Sequence, residues 1–127
     1  MRVLFINSVC GVGSTGRICT DLYDVFQENG HQCCIAYGRG GAPEQYNTYK
    51  IGGRINNYTR LFDNHGFSSR RATTNFIKFI ENYNPDIINI HNIHGYFLNI
   101  EILCEYLSRT KAKIIWTLDD GWLFSGH

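Results

Sequence analysis

Four apolar residues, Val3 to Ile6, stand together near the start of the chain, and polar and glycine-rich sequence follows from Asn7 onward. A short unbroken apolar run of this kind predicts a strand buried on both faces. Behind it, Ser14 or Thr15 is the expected cap of a helix whose apolar positions Ile18, Leu22, Val25 and Phe26 share one face, with Gly30 as its stop. Cys33 to Tyr37 reads as a second strand. From Arg39 to Arg71 the periodicity breaks up, leaving a short strand near Tyr49 to Ile51 and a short helix near Ile55 to Phe62 inside an insertion. Regular pattern returns with a helix from about Ala72 to Tyr83 that points Phe76, Ile77 and Ile80 inward and ends at the turn Asn84-Pro85-Asp86. A strand over Asp86 to Ile90, a helix over Ile100 to Arg109 with Leu103 and Leu107 inward, and a strand over Lys113 to Leu118 complete the series. Strands alternating with helices predict an α/β fold, a Rossmann-like parallel sheet flanked by helices.

In such sheets ligands collect beyond the carboxyl ends of the strands. The chain's unusual residues sit there: "CGVGSTG" after the first strand, "GRGG" after the second, "HNIHGY" after Ile90 and "DDGWLFSGH" after the last. These four loops are expected to share one crevice. Gly11, Gly13 and Gly16 have the spacing G-x-G-x-x-G, which suits a tight turn and presents the amides of a helix N-terminus to an anion. A dinucleotide site also wants an acidic residue at the end of the second strand; here Gly38 and Arg39 stand in its place, and Arg39 suits only an NADP-type phosphate. The loop therefore specifies phosphate more firmly than it specifies a cofactor.

Composition narrows this further. A chain of 127 residues with 43% hydrophobic content makes one domain, residues 1–127, and not two. Twelve basic against eleven acidic side chains give no general pull toward nucleic acid, so no nucleic-acid partner is expected. Five cysteines, Cys10, Cys19, Cys33, Cys34 and Cys104, form an odd set without a C-x-x-C pair, which fits a reducing cytoplasm. No apolar run is long enough for a membrane span.

Three longer stretches, "TRLFDNHGFSSRRAT", "NPDIINIHNIHGYFLNIEIL" and "IIWTLDDGWLFSGH", extend the pattern over most of the chain. With them the sequence resembles the N-terminal, acceptor-side domain of bacterial family 4 glycosyltransferases, enzymes of the two-domain GT-B fold. The resemblance implies a retaining transfer of a sugar from a nucleotide sugar to a glycan or lipid-linked acceptor, as in polysaccharide biosynthesis, with the glycine loop facing the donor phosphates. It implies no cofactor and no metal; the nucleotide sugar is a substrate. Where such enzymes usually carry His-Asp in the tail motif this chain has Asp119 and Asp120, and where they usually read "HLHN" it reads "NIHN", with Asn89 in a His position. The family's donor-binding domain, with its E-x7-E motif, has no counterpart in the chain. The expectation is thus a truncated domain, inactive alone, that a second chain or self-association would complete.

The candidate substrate-binding residues are Gly11, Gly13, Ser14, Thr15, Gly16, Arg39, Asn92, His94, Trp122 and His127. Asp119 and Asp120 are the catalytic candidates, although neighbours on an extended segment point to opposite faces and so cannot both reach one bond. His91 and His94 form H-x-x-H, but no third ligand is fixed by spacing and no metal is expected. Trp122 and Phe124 suit either stacking on a sugar or covering the sheet end. Cys10 reads as packing, since nothing supplies it with a base. In the insertion, Arg54, Arg60, Arg70 and Arg71 alternate with Tyr58, Phe62 and Phe67, a pattern of a solvated face or of peripheral contact with the inner membrane. Two rival classes stand beside the transferase: a non-catalytic glycan- or partner-binding module, and a fragment of an NADP-dependent oxidoreductase resting on the loop and Arg39.

Overall fold

The computed structural model describes residues 1–52, 67–93 and 98–117. Five strands, β1 (Arg2–Asn7), β2 (Gln32–Tyr37), β3 (Thr48–Lys50), β4 (Ile87–Ile90) and β5 (Lys113–Trp116), make one sheet. Among the described residues three helices join them: α1 (Gly13–Glu28), α2 (Phe67–Tyr83) and α3 (Ile100–Arg109). Every pairing is parallel and the order is β3-β2-β1-β4-β5, so the α/β Rossmann-like expectation holds. The chain winds outward from β1 to β3, then returns past β1 to start β4. The direction of winding therefore reverses between β1 and β4, the place where ligands gather in sheets of this kind.

Alternate strand residues feed two cores. Val3, Phe5, Cys33 and Ile35 meet Cys19 and Tyr23 of α1 on one face. Leu4, Ile6, Cys34, Ala36, Ile88 and Ile90 meet α2 and α3 on the other, through Phe76, Ile77, Ile80, Leu103 and Tyr106. The expected inward positions of α2 and α3 are in place.

The buried face of α1 differs from the sequence expectation. Ile18 is 37% and Val25 54% exposed, while Gly16, Cys19, Thr20 and Tyr23 are buried and Leu22 and Phe26 lie at the margin. Periodicity alone fits both stripes. Tyr23 decides between them, because its hydroxyl accepts the Asn47 amide at 3.1 Å and its ring sits edge-on to Tyr46 at 4.9 Å, contacts available only on the sheet side. The cap also differs: Val12 takes the N-cap position, and no side chain caps the helix. Ser14 and Thr15 lie inside the first turn instead.

α2 starts earlier than expected, at Phe67, and ends where expected: Asn84 adopts φ 54° and its amide reaches Ile80 O at 2.8 Å before Pro85 stops the helix. Asn99 caps α3 by accepting from the Ile102 amide, and its own amide donates to Thr73 Oγ1 of α2 at 2.7 Å, fixing the two helices together. β5 spans Lys113–Trp116 and stops short of Thr117; Leu118, where the expected strand ended, and the helix near Ile55 to Phe62 lie outside the described residues. Among the described residues no helix is long and apolar enough to cross a membrane.

Candidate functional site

The glycine loop occupies the predicted place, between β1 and α1. Gly13 enters the helix at φ +68°, a conformation that L side chains rarely adopt. Gly16 serves close approach: a Cβ there would stand 3.0 Å from Gly11 N and 3.3 Å from Val9 Cγ2. The helix thus begins tight against the loop, and the Gly11 amide donates to Gly16 O at 3.2 Å. That bond engages the Gly11 amide within the loop itself. With no side-chain cap and no acidic residue in the first turn, the positive end of α1 carries no compensating charge of its own. Gly13 and Ser14 are exposed there, Thr15 half-buried, and Gly16 buried.

The neighbouring loops are tied to this one by backbone and amide groups. Ser8 O accepts from both Gly38 and Arg39 amides at 3.0 Å, which brings the loop after β2 alongside and leaves the Arg39 side chain exposed. Lys50 Nζ holds the same loop from β3 by donating to Gly40 O at 2.9 Å. On the other side, the fully buried Asn7 donates through Nδ2 to Val9 O at 2.7 Å and accepts at Oδ1 from the Asn92 amide at 3.1 Å. Beyond β4, Asn89 donates to Ile115 O and to Thr117 Oγ1, both at 3.0 Å, and accepts from His91 Nε2 at 2.6 Å. The Thr117 amide returns to Ile90 O at 2.8 Å. A line of polar clasps thereby runs across the carboxyl edge of the sheet from β2 to β5.

The loops after β1, β2 and β4, three of the four expected to share a crevice, therefore lie side by side. His94, Asp119, Asp120, Trp122 and His127 lie outside the described residues, as do Phe124, Arg54, Arg60, Tyr58 and Phe62. Arg70 and Arg71 are exposed near the start of α2. His91 is buried, its ring 6.2 Å from that of Phe5. Asn89 is a buried cross-strand tie. Cys10 is buried, and burial pushes its thiol up to about 11, so it stays protonated at neutral pH and is a poor nucleophile.

Sequence reading missed Asn7, Ser8 and Thr117 as members of the site. One signal was present: a polar residue closing an otherwise apolar strand at its carboxyl end. A shallow polar hollow of about 280 Å³, lined by Arg2, Gln32, Asn84 and Asp86 among others, lies at the opposite, amino end of the strands, away from these loops.

No protein-family model matches the chain, and neither does the sequence of any curated protein. Solved structures do match it in fold. An alpha-glucosyltransferase in complex with UDP and a 13-mer DNA containing a HMU base superposes with a TM-score of 0.62 at 13% identity, over 98% of this chain and 32% of that one. An alpha-glucosyltransferase in complex with UDP gives 0.55 at 13% identity, over 98% and 30%. One with UDP-glucose and DNA containing an abasic site gives 0.53 at 12% identity, over 98% and 30%. The chain thus spans about a third of the length of these proteins and has the fold of one domain of a GT-B glycosyltransferase.

Proposed function

We propose that the chain is the acceptor-side domain of a retaining, family 4-like glycosyltransferase, whose glycine loop faces the diphosphate of a nucleotide-sugar donor and whose acceptor is a glycan or a lipid-linked sugar. The observation that carries this reading is the uncapped, uncompensated N-terminus of α1, set beside the winding reversal of a fold shared with UDP-bound glucosyltransferases. Breaking the sugar–phosphate bond leaves negative charge on the diphosphate, and helix amides fixed in advance stabilise that charge without reorganising. Arg39 and Asn92, carried on adjoining loops, would orient the donor and the acceptor hydroxyl. His94, Trp122 and His127 remain substrate-contact candidates of the same reading, and Asp119 and Asp120 its catalytic candidates. Grip on the nucleotide would come from a donor-binding domain, as the resemblance implies.

A nucleic-acid acceptor is the second reading, favoured by the DNA in three of the matched complexes and by the exposed Arg70 and Arg71. Amide NMR of the chain during titration with UDP-glucose, NADP and a short DNA duplex separates the readings. The glycosyltransferase reading expects UDP-glucose to shift Gly13 to Gly16. Saturable NADP binding at Arg39 with no response to UDP-glucose would replace it, and a salt-dependent response to the duplex around Arg70 would favour the second acceptor class.

A further inference from the structure

Asn7 stands where the winding reverses, and both halves of its amide are engaged with different loops. Nδ2 holds the carbonyl of Val9, inside the turn that launches the glycine loop, and Oδ1 holds the backbone N–H of Asn92, 85 residues away on the loop after β4. The side chain is fully buried. Backbone pairing between β1 and β4 runs from Val3↔Ile87 to Ile6↔Ile90, and the His91 amide adds one bond to Ile6 O. Past that point the sheet ladder ends, and the Asn7 side chain carries the connection onward into the loops themselves.

We infer that Asn7 is a positioning residue that couples the phosphate-facing glycine loop to the β4 loop, so that the two sides of the crevice move as one unit. The inference rests on the donor-facing reading of the glycine loop. Asparagine is the residue this geometry requires, because the position needs one donor and one acceptor on a short planar group. Aspartate has the same shape but, when ionised, only accepts. It would keep the bond from Asn92 and set a carboxylate oxygen against the Val9 carbonyl. Protonated, it can donate to Val9 again, and burial away from water favours that neutral form. The variant Asn7→Asp is therefore a pH-controlled version of the same clasp, folded with its clasp restored at about pH 5 and opened as the carboxyl ionises.

The test follows the amides of Val12 to Gly16 and of Asn92 in Asn7→Asp, by NMR, from about pH 5 to about pH 8, alongside wild-type chain and a thermal melt at each pH. UDP-glucose is the ligand probe, since both phosphoryl groups of its pyrophosphate diester stay ionised and its charge is constant across that range. The expected result is that both sets of amides shift with a single shared midpoint absent from the wild type. UDP-glucose affinity should fall about tenfold above that midpoint and recover below it, the cost of one lost hydrogen bond. Affinity that follows only the melting temperature, or amide sets that titrate separately, overturns the coupling. If wild-type chain does not respond to UDP-glucose, the donor-facing reading fails, and the shared midpoint still decides whether Asn7 couples the loops. If Asn7→Asp does not fold at any pH, Val12→Gly loosens the exposed loop from outside: faster hydrogen exchange at the Asn92 amide supports the coupling, and unchanged exchange overturns it.

Discussion

His91 Nε2 lies 2.6 Å from Asn89 Oδ1, two residues back along the same chain and on the same face of the sheet. Because an amide oxygen only accepts, that imidazole nitrogen carries the proton. The bond leaves Asn89 Nδ2 to donate to Ile115 O and Thr117 Oγ1, so a single side chain joins β4, the end of β5 and a buried histidine. Replacing it with leucine keeps the volume and removes all three hydrogen bonds. Asn89→Leu is expected to cost about 1–3 kcal/mol in total, read as a lower urea midpoint.

Gly13 and Gly16 separate strain from crowding. Gly13→Ala meets open space but a φ of +68°, so it should cost about 1–2 kcal/mol from backbone strain alone. A change at Gly13 is thus less neutral for the fold than loop position would suggest. Gly16→Val would press on Gly11 N and Val9, and an overpacked contact of this kind costs about 1–3 kcal/mol. Chemical shifts should show the α1 start displaced in Gly16→Val and retained in Gly13→Ala.

The buried thiols make the fold sensitive to base. Burial pushes Cys10 and Cys33 from 9.0 up to about 11, and Cys34 up to about 12. Above pH 9 the unfolded chain gives up these protons while the folded chain keeps them, so stability is complete below 9.0 and falls as pH rises toward about 12. Denaturant midpoints measured from neutral pH upward check the sign. At neutral pH a thiol reagent should modify exposed Cys104 promptly and the other four cysteines only on unfolding.

Ile115 is 41% exposed on β5, an edge strand among the described residues. Edge strands with apolar side chains template association. Ile115→Lys is expected to reduce concentration-dependent light scattering by the isolated chain without lowering its melting temperature. Scattering equal to that of the wild type would show that the edge is not the contact.

Much of this fold was legible because an apolar run such as Val3 to Ile6 has few ways to be buried other than as an inner parallel strand. α1 was legible as a helix but not in its orientation, since Ile18 and Val25 carry more apolar character than the Cys19 and Tyr23 that face the sheet. Hydrogen-bonding partners decided that orientation, and they come from residues more than twenty positions away. The glycine loop was visible through its spacing, a local property. The clasps were not. Asn7 and Asn92 meet only because the winding reverses between their strands, and Asn89 is an ordinary asparagine until β5 is laid beside it.

The central place of β1 also has a consequence during synthesis. Its partner β2 follows after a single helix, but β4 pairs with it only across the register Val3↔Ile87 to Ile6↔Ile90. A nascent chain can close β1, α1 and β2 early, and must then carry the other edge of its innermost strand open until the ribosome has released Ile90. Contacts this distant form late and expose apolar backbone while they wait. The segment from Arg39 to Tyr83 is the interval in which a chaperone, or a neighbouring nascent chain, can reach the heart of the sheet.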